Sequence, residues 1–474
     1  MIAFPKIIQG GMGVAISNWR LARSVSRLGQ LGVVSGTGIE TILARRLQLG
    51  DPSGAARRAM AHFPFPAVAE RVLADYFIEG GKPEGSPFRL VPLASLNPGS
   101  RFVEPVVLGA FVEVFLAKEG HDGLVGINLL EKIQLPTLPA LFGAMLAGVA
   151  CVLMGAGIPR TIPGVLDRLA GGEPAQLKID VEGALHGEEF VSAFDPSAFC
   201  GGIAPTLKRP EFFAIISSAT LAVTLERKSN GCVDGFIVEG ESAGGHNAPP
   251  RGPLHLSSTG EPVYGPRDVP ELEKIRMLGL PFWLAGSYGQ PGKLEEALHL
   301  GAAGIQAGTA FAFCEESGLH PEIKRQSLEL SRSGHAEIFT DPLASPTGFP
   351  FKVAALGGTL SDSAIFAARE RICDIGALRR PYRKADGIVG YRCPSEPIED
   401  FLRKGGGRGE TVGRKCLCNG LFATAGFAQV RPGHGEEPAL VTAGNDLRRI
   451  AQFLTPGKCS YTAADVVRRL LGPA

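Results

Sequence analysis

His246 closes the run Glu239-Gly240-Glu241-Ser242-Ala243-Gly244-Gly245-His246. An imidazole starts near pKa ~6.5, so it is suited to take a proton from carbon near neutral pH. Two preceding glycines let the chain turn sharply and bring the ring over a bound planar group. A plainer alternative is a histidine on a surface loop. Further on, Gly286-Ser287 and Gln306-Ala307-Gly308-Thr309 offer glycine N–H groups and two hydroxyls, the make-up of a phosphate site. Near the start, Gly10, Gly11 and Met12 are expected to leave backbone N–H groups open to a flat ligand. Asn128 supplies an amide and Glu239 a carboxyl.

These residues are useful only if one scaffold gathers them. Three segments, 29–36, 148–155 and 301–308, share one layout: a glycine after an amphipathic helix, a β-prone run, and a second glycine seven positions on. Helix, glycine, buried strand, glycine is the pattern of repeated βα units. Eight strands are expected, at 6–9, 31–35, 124–128, 150–154, 212–216, 236–239, 281–285 and 304–307. Eight such units favour an α/β fold of the (β/α)8 TIM-barrel type over an open doubly wound sheet. Every candidate residue then falls at or just past the carboxyl end of a strand, where barrel chemistry resides. The barrel is expected to occupy 1–350, with insertions at about 39–123 and 173–210. The second insertion should hold a hairpin, 177–181 with 188–193. Residues 351–474 form a mostly helical C-terminal region, read as a cap and as the surface of a homo-oligomer.

Composition narrows the partners. The 474 residues carry 48 Lys and Arg against 47 Asp and Glu, a net +1 that lacks the basic face of a nucleic-acid binder. Glycine, at 63 residues, is nearly twice as frequent as usual, in keeping with many tight turns. Residues 138–158 are uncharged and long enough to span a bilayer, but prolines and glycines divide them, so a buried helix followed by a buried strand is expected. The start, Met1-Ile2-Ala3-Phe4-Pro5-Lys6, lacks the pattern of a secretion signal. A cytoplasmic protein without membrane contact is expected. Four of nine cysteines, Cys373, Cys393, Cys416 and Cys418, fall near arginines in the C-terminal region. Metal sites prefer Cys-x2-Cys pairs, so these are read as buried or reactive thiols and no metal ligand is assigned. Glu241 is expected to accept hydrogen bonds from the glycine turn. His62 and His255 are read as bystanders, and Arg57-Arg58 and Lys208-Arg209 as solvated charge.

The chain resembles the nitronate monooxygenase (2-nitropropane dioxygenase) family of FMN-dependent barrels. The likeness covers about residues 5–350 and is sharpest in Glu239–His246 and in Leu284–Ser317, which holds Gln306–Thr309 and Phe311-Ala312-Phe313-Cys314-Glu315-Glu316-Ser317. It implies that Asn128, Glu239, Gly244, Gly286, Gln306, Ala307, Gly308 and Thr309 hold FMN, joined by Gly10, Gly11, Met12, Gly245 and Ser287 from the strand-end reading, with His246 as catalytic base. The implied activity oxidises nitronates or nitroalkanes with O2 to a carbonyl product and nitrite. Glu239 departs from the family, which usually places an amide there. Gln9-Gly-Gly-Met12 is closer to the related NAD(P)H-dependent enoyl-thioester reductases, which supply an alternative activity. A flavin-binding scaffold without turnover is the second alternative.

Overall fold

The computed structural model describes residues 4–472; residues 1–3, within the start examined for a leader, and 473–474, at the end of the C-terminal region, lie outside it. Eight parallel strands stand where the sequence places them, with bounds shifted by two residues at most. They are β1 (Ile7–Gln9), β2 (Gly32–Ser35), β3 (Val125–Leu130), β4 (Cys151–Gly155), β5 (Glu211–Ile216), β6 (Gly235–Glu239), β7 (Phe282–Ala285) and β8 (Gly304–Ala307). Their order, β1-β8-β7-β6-β5-β4-β3-β2, is that of a barrel, and the first and last members of the row meet. Gln9 N donates to Leu31 O at 2.9 Å and Leu31 N to Ile7 O at 3.1 Å. The next rung uses a side chain, because Val33 N donates to Gln9 Oε1 at 3.0 Å. The sheet therefore closes. Gly29, Gly148 and Gly301, the first glycines of the repeat, all have positive φ, as a left-handed helix stop requires.

The side-chain period of two decides what faces inward. Ile8, Val33, Leu153, Phe213, Ile237 and Trp283 fill the barrel interior. Trp283 Nε1 donates to Pro5 O at 2.8 Å and shuts the lower end. Register carries the same face upward: Asn128 lies opposite Leu153, Glu239 opposite Ala285 and Gln306 opposite Ile8. Three polar side chains thus crown an apolar core at the upper mouth.

The uncharged stretch 138–158 is indeed a buried helix, Thr137–Leu146, followed by β4. No helix among the described residues is long and apolar enough to cross a membrane. The first insertion folds into four helices, ending in Ser100–Lys118, which packs on Thr137–Leu146. The hairpin of the second insertion pairs Ala175–Lys178 with Val191–Phe194, a few residues from its expected place, because Ala175, Leu177, Ser192 and Phe194 turn inward. One expectation about charge fails. Arg209 is mostly covered and binds Asp167 at 2.8 Å and Asp234 at 2.6 Å. Arg57 and Arg58 are exposed as expected, though Arg57 pairs with Asp51 and lies over Phe77. His62 is stacked on Phe115, away from the mouth.

The C-terminal region is less helical than its patterns suggest. Helices Ser363–Ala368, Ile398–Arg403, Leu417–Thr424 and Ala463–Leu471 are separated by long irregular segments. Those segments are tied by buried charge: Glu437 accepts from Arg369 and Arg431, each at 2.6 Å, and Arg431 also pairs with Asp374 at 2.8 Å. The boundary expected at 350 falls within a hairpin, Ile338–Asp341 with Phe351–Ala354.

Gln9 tests the closure. Its buried amide also donates to Ser17 Oγ at 2.8 Å. Gln9→Leu leaves the Val33 N–H without an acceptor, so unfolding in urea should show a loss of about 1–3 kcal/mol.

Candidate active site

The crown of the barrel opens into a cavity of about 250 Å3, and all fourteen residues singled out in the sequence line it. The first loop reaches it differently than expected. Gly10 N donates to Ala307 O at 2.9 Å and Met12 N to Ser17 Oγ at 2.9 Å, so those two N–H groups are spent within the protein. What smallness provides is close approach: a Cβ on Gly11 would lie 2.1 Å from Asn128 Cβ. Asn128 itself donates to Leu129 O at 3.3 Å.

On the opposite rim, Gly286 and Ser287 both have positive φ, at 75° and 63°. For serine that is a strained conformation, of the kind kept at binding sites. Among the described residues, the N–H groups of Gly286, Ser287, Gly308 and Thr309 meet no backbone carbonyl. Thr309 Oγ1 accepts from Gly444 N at 2.8 Å, which turns its own proton elsewhere and makes it an oriented donor. Asp446 stands beside this rim, accepting from Gln290 Nε2 at 2.6 Å, and burial raises its carboxyl above the usual range.

Between the rims, Gln306 Nε2 donates to Glu239 Oε1 at 3.3 Å, while the buried Gln306 Oε1 has no partner. Burial pushes Glu239 up to about 7, so near neutrality it is about half protonated. The concern that an ionised Glu239 would repel added negative charge is correspondingly reduced.

His246 is half-buried, with its ring edge-on to Phe351 at 4.9 Å. Two backbone bonds pin its loop: Asn247 N to Pro350 O and Lys352 N to Gly245 O, both 2.9 Å. Its Nε2 lies 2.7 Å from Ser345 Oγ, in the turn of the hairpin that carries Phe351. Burial, aided by the charge of Lys132, lowers the imidazole to about 3. The expected pKa near the working pH is therefore not what this setting produces; the ring is uncharged at neutrality. Glu241, expected to hold the glycine turn, is exposed. Thr442 does that instead, its Oγ1 accepting from Gly245 N at 2.9 Å.

Sequence reasoning missed the C-terminal contribution. Thr442, Ala443, Gly444 and Asp446 line the rim, and Leu378, Leu417, Cys418 and Phe422 the outer wall. Apart from Cys418, read only as a thiol, no local pattern in these residues pointed to the barrel mouth. A second chamber of about 480 Å3 adjoins the first, sharing Gly38, Ile133, Ala377 and Leu378.

With this geometry in place, comparison with known proteins becomes specific. The sequence profile of the nitronate monooxygenase family matches residues 205–340, the segment that carries β5 to β8 and His246. Through this segment the chain is similar to the nitronate monooxygenase family. It is also 33% identical over 118 residues to a probable nitronate monooxygenase of Bacillus subtilis, a match covering 25% of this chain and 32% of that protein. The chain thus spans about a third of the length of that curated relative. Similar solved structures include nitroalkane oxidase from Streptomyces ansochromogenes, at 16% identity and TM-score 0.48, covering 99% of this chain and 95% of that one. FabK from Thermotoga maritima, at 14% identity and TM-score 0.47, covers 99% and 92%.

The family implies a flavin, and the cavity can be tested against one on its own atoms. The unpartnered Gln306 Oε1, four uncommitted N–H groups and an oriented Thr309 hydroxyl are what a ring edge and a phosphate tail need. The residues fit. A Cβ on Gly444 would lie 2.7 Å from Ser242 O and 3.2 Å from Gly244 N. Gly444→Ala should therefore lift the rim and weaken flavin binding by about tenfold, taking overpacking at 1–3 kcal/mol. Flavin fluorescence titration measures this, with Gly409→Ala, where no atom lies within 4 Å, as a control that leaves binding unchanged.

Proposed function

We propose that this chain is an FMN-dependent oxidoreductase that oxidises nitronates with O2 to a carbonyl product and nitrite, nitroalkanes being the neutral forms of the same substrates. The observation that carries this reading is convergence: His246, Asn128, Glu239 and Gln306 meet at one mouth, within a chain that bears the family's segment. When bound, FMN would supply the two-electron acceptor and the route to O2. Gly286, Ser287, Gly308 and Thr309 would hold its phosphate. Gln306 and Asn128 would meet the polar edge of the ring, and Gly10, Gly11, Met12, Gly244, Gly245 and Ala307 would leave room for it.

His246 is uncharged, which is the form able to accept a proton. Its low pKa makes it a weak acceptor, so the site is better matched to a preformed nitronate than to a neutral nitroalkane. Lys132, on the wall of the adjoining chamber, is held down at about 7 by burial, and no group accepts from its Nζ. Below pH 7 Lys132 is charged and Glu239 is protonated. Above it a cation is lost and an anion gained. KM for propyl-nitronate should accordingly rise as the pH passes about 7, read from initial rates across a pH series.

The second chamber favours one competing reading. It is roomy and lined by Arg45, Arg89, Arg379 and Arg380 beside Glu40, Glu131, Asp180, Glu182 and Asp374, features that would suit an elongated polar substrate such as an acyl thioester reduced with NAD(P)H. Anaerobic stopped-flow separates the two. On the leading reading, propyl-nitronate bleaches the flavin at least about tenfold faster than nitroethane, and NADH and NADPH do nothing. His246→Ala then costs nitroethane about 10²-fold or more, the usual weight of a general base, and spares nitronate. Rapid bleaching by NADPH alone would reverse the ranking. Inertness to all four reagents would leave a flavin-binding scaffold.

A further inference from the structure

We infer, taking His246 as the base of the proposed reaction, that Ser345 and Thr347 form a hydroxyl relay carrying the proton of a nitroalkane from His246 to the adjoining chamber. The links are short. His246 Nε2 lies 2.7 Å from Ser345 Oγ, and Ser345 Oγ lies 2.8 Å from Thr347 Oγ1. Both hydroxyls sit in the turn of the hairpin that pairs Ile338–Asp341 with Phe351–Ala354. That turn stands between the two chambers: His246 and Phe351 line the flavin cavity, whereas Thr347 and Phe349 line the second chamber. Arg89 and Leu90, on the wall of the second chamber, are exposed, so it reaches solvent.

Hydrogen-bond capacity leaves this chain of groups only two states. Ser345 is wholly buried, and a hydroxyl offers one proton and two lone pairs. The N–H of Thr347 takes one lone pair, at 3.2 Å. The remaining lone pair and the proton face Nε2 and Thr347 Oγ1, so one of these must donate and the other accept. In the first state Nε2–H donates to Ser345, Ser345 donates to Thr347, and Nδ1 is a bare lone pair. In the second state each bond is reversed and Nδ1 carries the hydrogen. Among the described residues Nδ1 has no hydrogen-bond partner and is not shut away from solvent, so it opens on the cavity.

A turn of this kind is closed by the serine alone, through the bond from Thr347 N to Ser345 Oγ. The Thr347 hydroxyl adds nothing to that closure. Among the described residues its one partner is Ser345 Oγ.

The first state is the one able to act. The C–H bond beside the nitro group breaks, its electron pair stays on the substrate as the nitronate, and the proton bonds to Nδ1. The Nε2 proton passes to Ser345 Oγ, the Ser345 proton to Thr347 Oγ1, and the Thr347 proton to water in the second chamber. The ring ends in the neutral second state and never has to persist as imidazolium, the form that burial penalises here. Once product has left, water in the cavity takes the Nδ1 proton and the relay refills Nε2 from the chamber.

The tautomer is measured first, without substrate, by NMR of the full chain isotopically labelled on its histidine nitrogens. The His246 signal, assigned by its loss in His246→Ala, should show the hydrogen on Nε2. Thr347→Val removes the acceptor of the Ser345 proton, which then has only Nε2 to turn to, so the hydrogen should move to Nδ1. Thr347→Ser should keep the wild-type tautomer. In anaerobic stopped-flow, Thr347→Val should lower the ratio of nitroethane to propyl-nitronate bleaching rates by about tenfold, a part of the 10²–10⁴ a general base contributes. Thr347→Ser should restore that ratio. A wild-type hydrogen on Nδ1 would overturn the relay, as would a Thr347→Val variant that keeps either the tautomer or the ratio. Wild-type protein bleached by propyl-nitronate but never by nitroethane would overturn it as well. Inertness to both substrates would instead remove the proposed activity, and the relay with it.

Discussion

The site depends on one contact between two stretches of chain that carry almost no side chains. Gly244 and Gly245 face Ala443 and Gly444 so closely that a Cβ on Gly244 would lie 2.8 Å from the carbonyl carbon of Ala443. Backbone can approach backbone this way only where Cβ atoms are missing. The contact carries the C-terminal segment onto the rim, where Thr442 takes the Gly245 N–H, Gly444 takes the Thr309 hydroxyl oxygen, and Asn445 N donates to Ser242 O at 3.0 Å. It thereby fixes the direction of the Thr309 proton and the start of the loop that carries His246. The C-terminal region is a wall of the site as much as a cap on it.

Burial then governs the electrostatics of the mouth. His246 is driven down, Glu239 and Asp446 are driven up, and in each case desolvation is the largest cause. A low-dielectric setting suppresses whichever form is charged. The cavity is consequently close to neutral where a flavin would lie, and Lys132, whose ammonium lies over the Phe349 ring, sits one step away in the adjoining chamber. An anion bound at the mouth would be drawn toward that side and away from the carboxyls.

The eight strands were legible because glycine punctuates several of them at both ends and because their apolar runs are short. Once the strands were placed, period two put Asn128, Glu239 and Gln306 on one face, and strand-end position did the rest. Other features left no local trace. Whether Gly10 N is free or bonded depends on Ala307, nearly three hundred residues later in the chain. That Thr442, not Glu241, holds the glycine turn depends on how a distant segment folds back. The segment 442–446 has neither helical nor strand periodicity, so no pattern drew attention to it. Imidazole's ordinary pKa was readable from its chemistry; the shift belongs to burial and to Lys132, both of which the fold brings about.

Irregularity in the C-terminal region has a physical use. A helix presents one stripe of side chains to one neighbour, whereas extended segments can touch different partners every few residues. Between Asp374 and Asp446 the chain supplies, in turn, a carboxylate to a buried ion pair, Leu378 to the cavity wall, three cysteines to a common void, and a rim to the glycine turn. Each task faces a different direction. The buried pairs among Arg369, Arg431, Glu437 and Asp374 hold these segments in register where no helix ladder could. Taken singly such pairs add little stability, since desolvation offsets their attraction, but breaking one leaves a buried charge unmet. Their value here is positional, because a shift of the segments they bind would move Leu378 and Cys418 on the outer wall of the cavity.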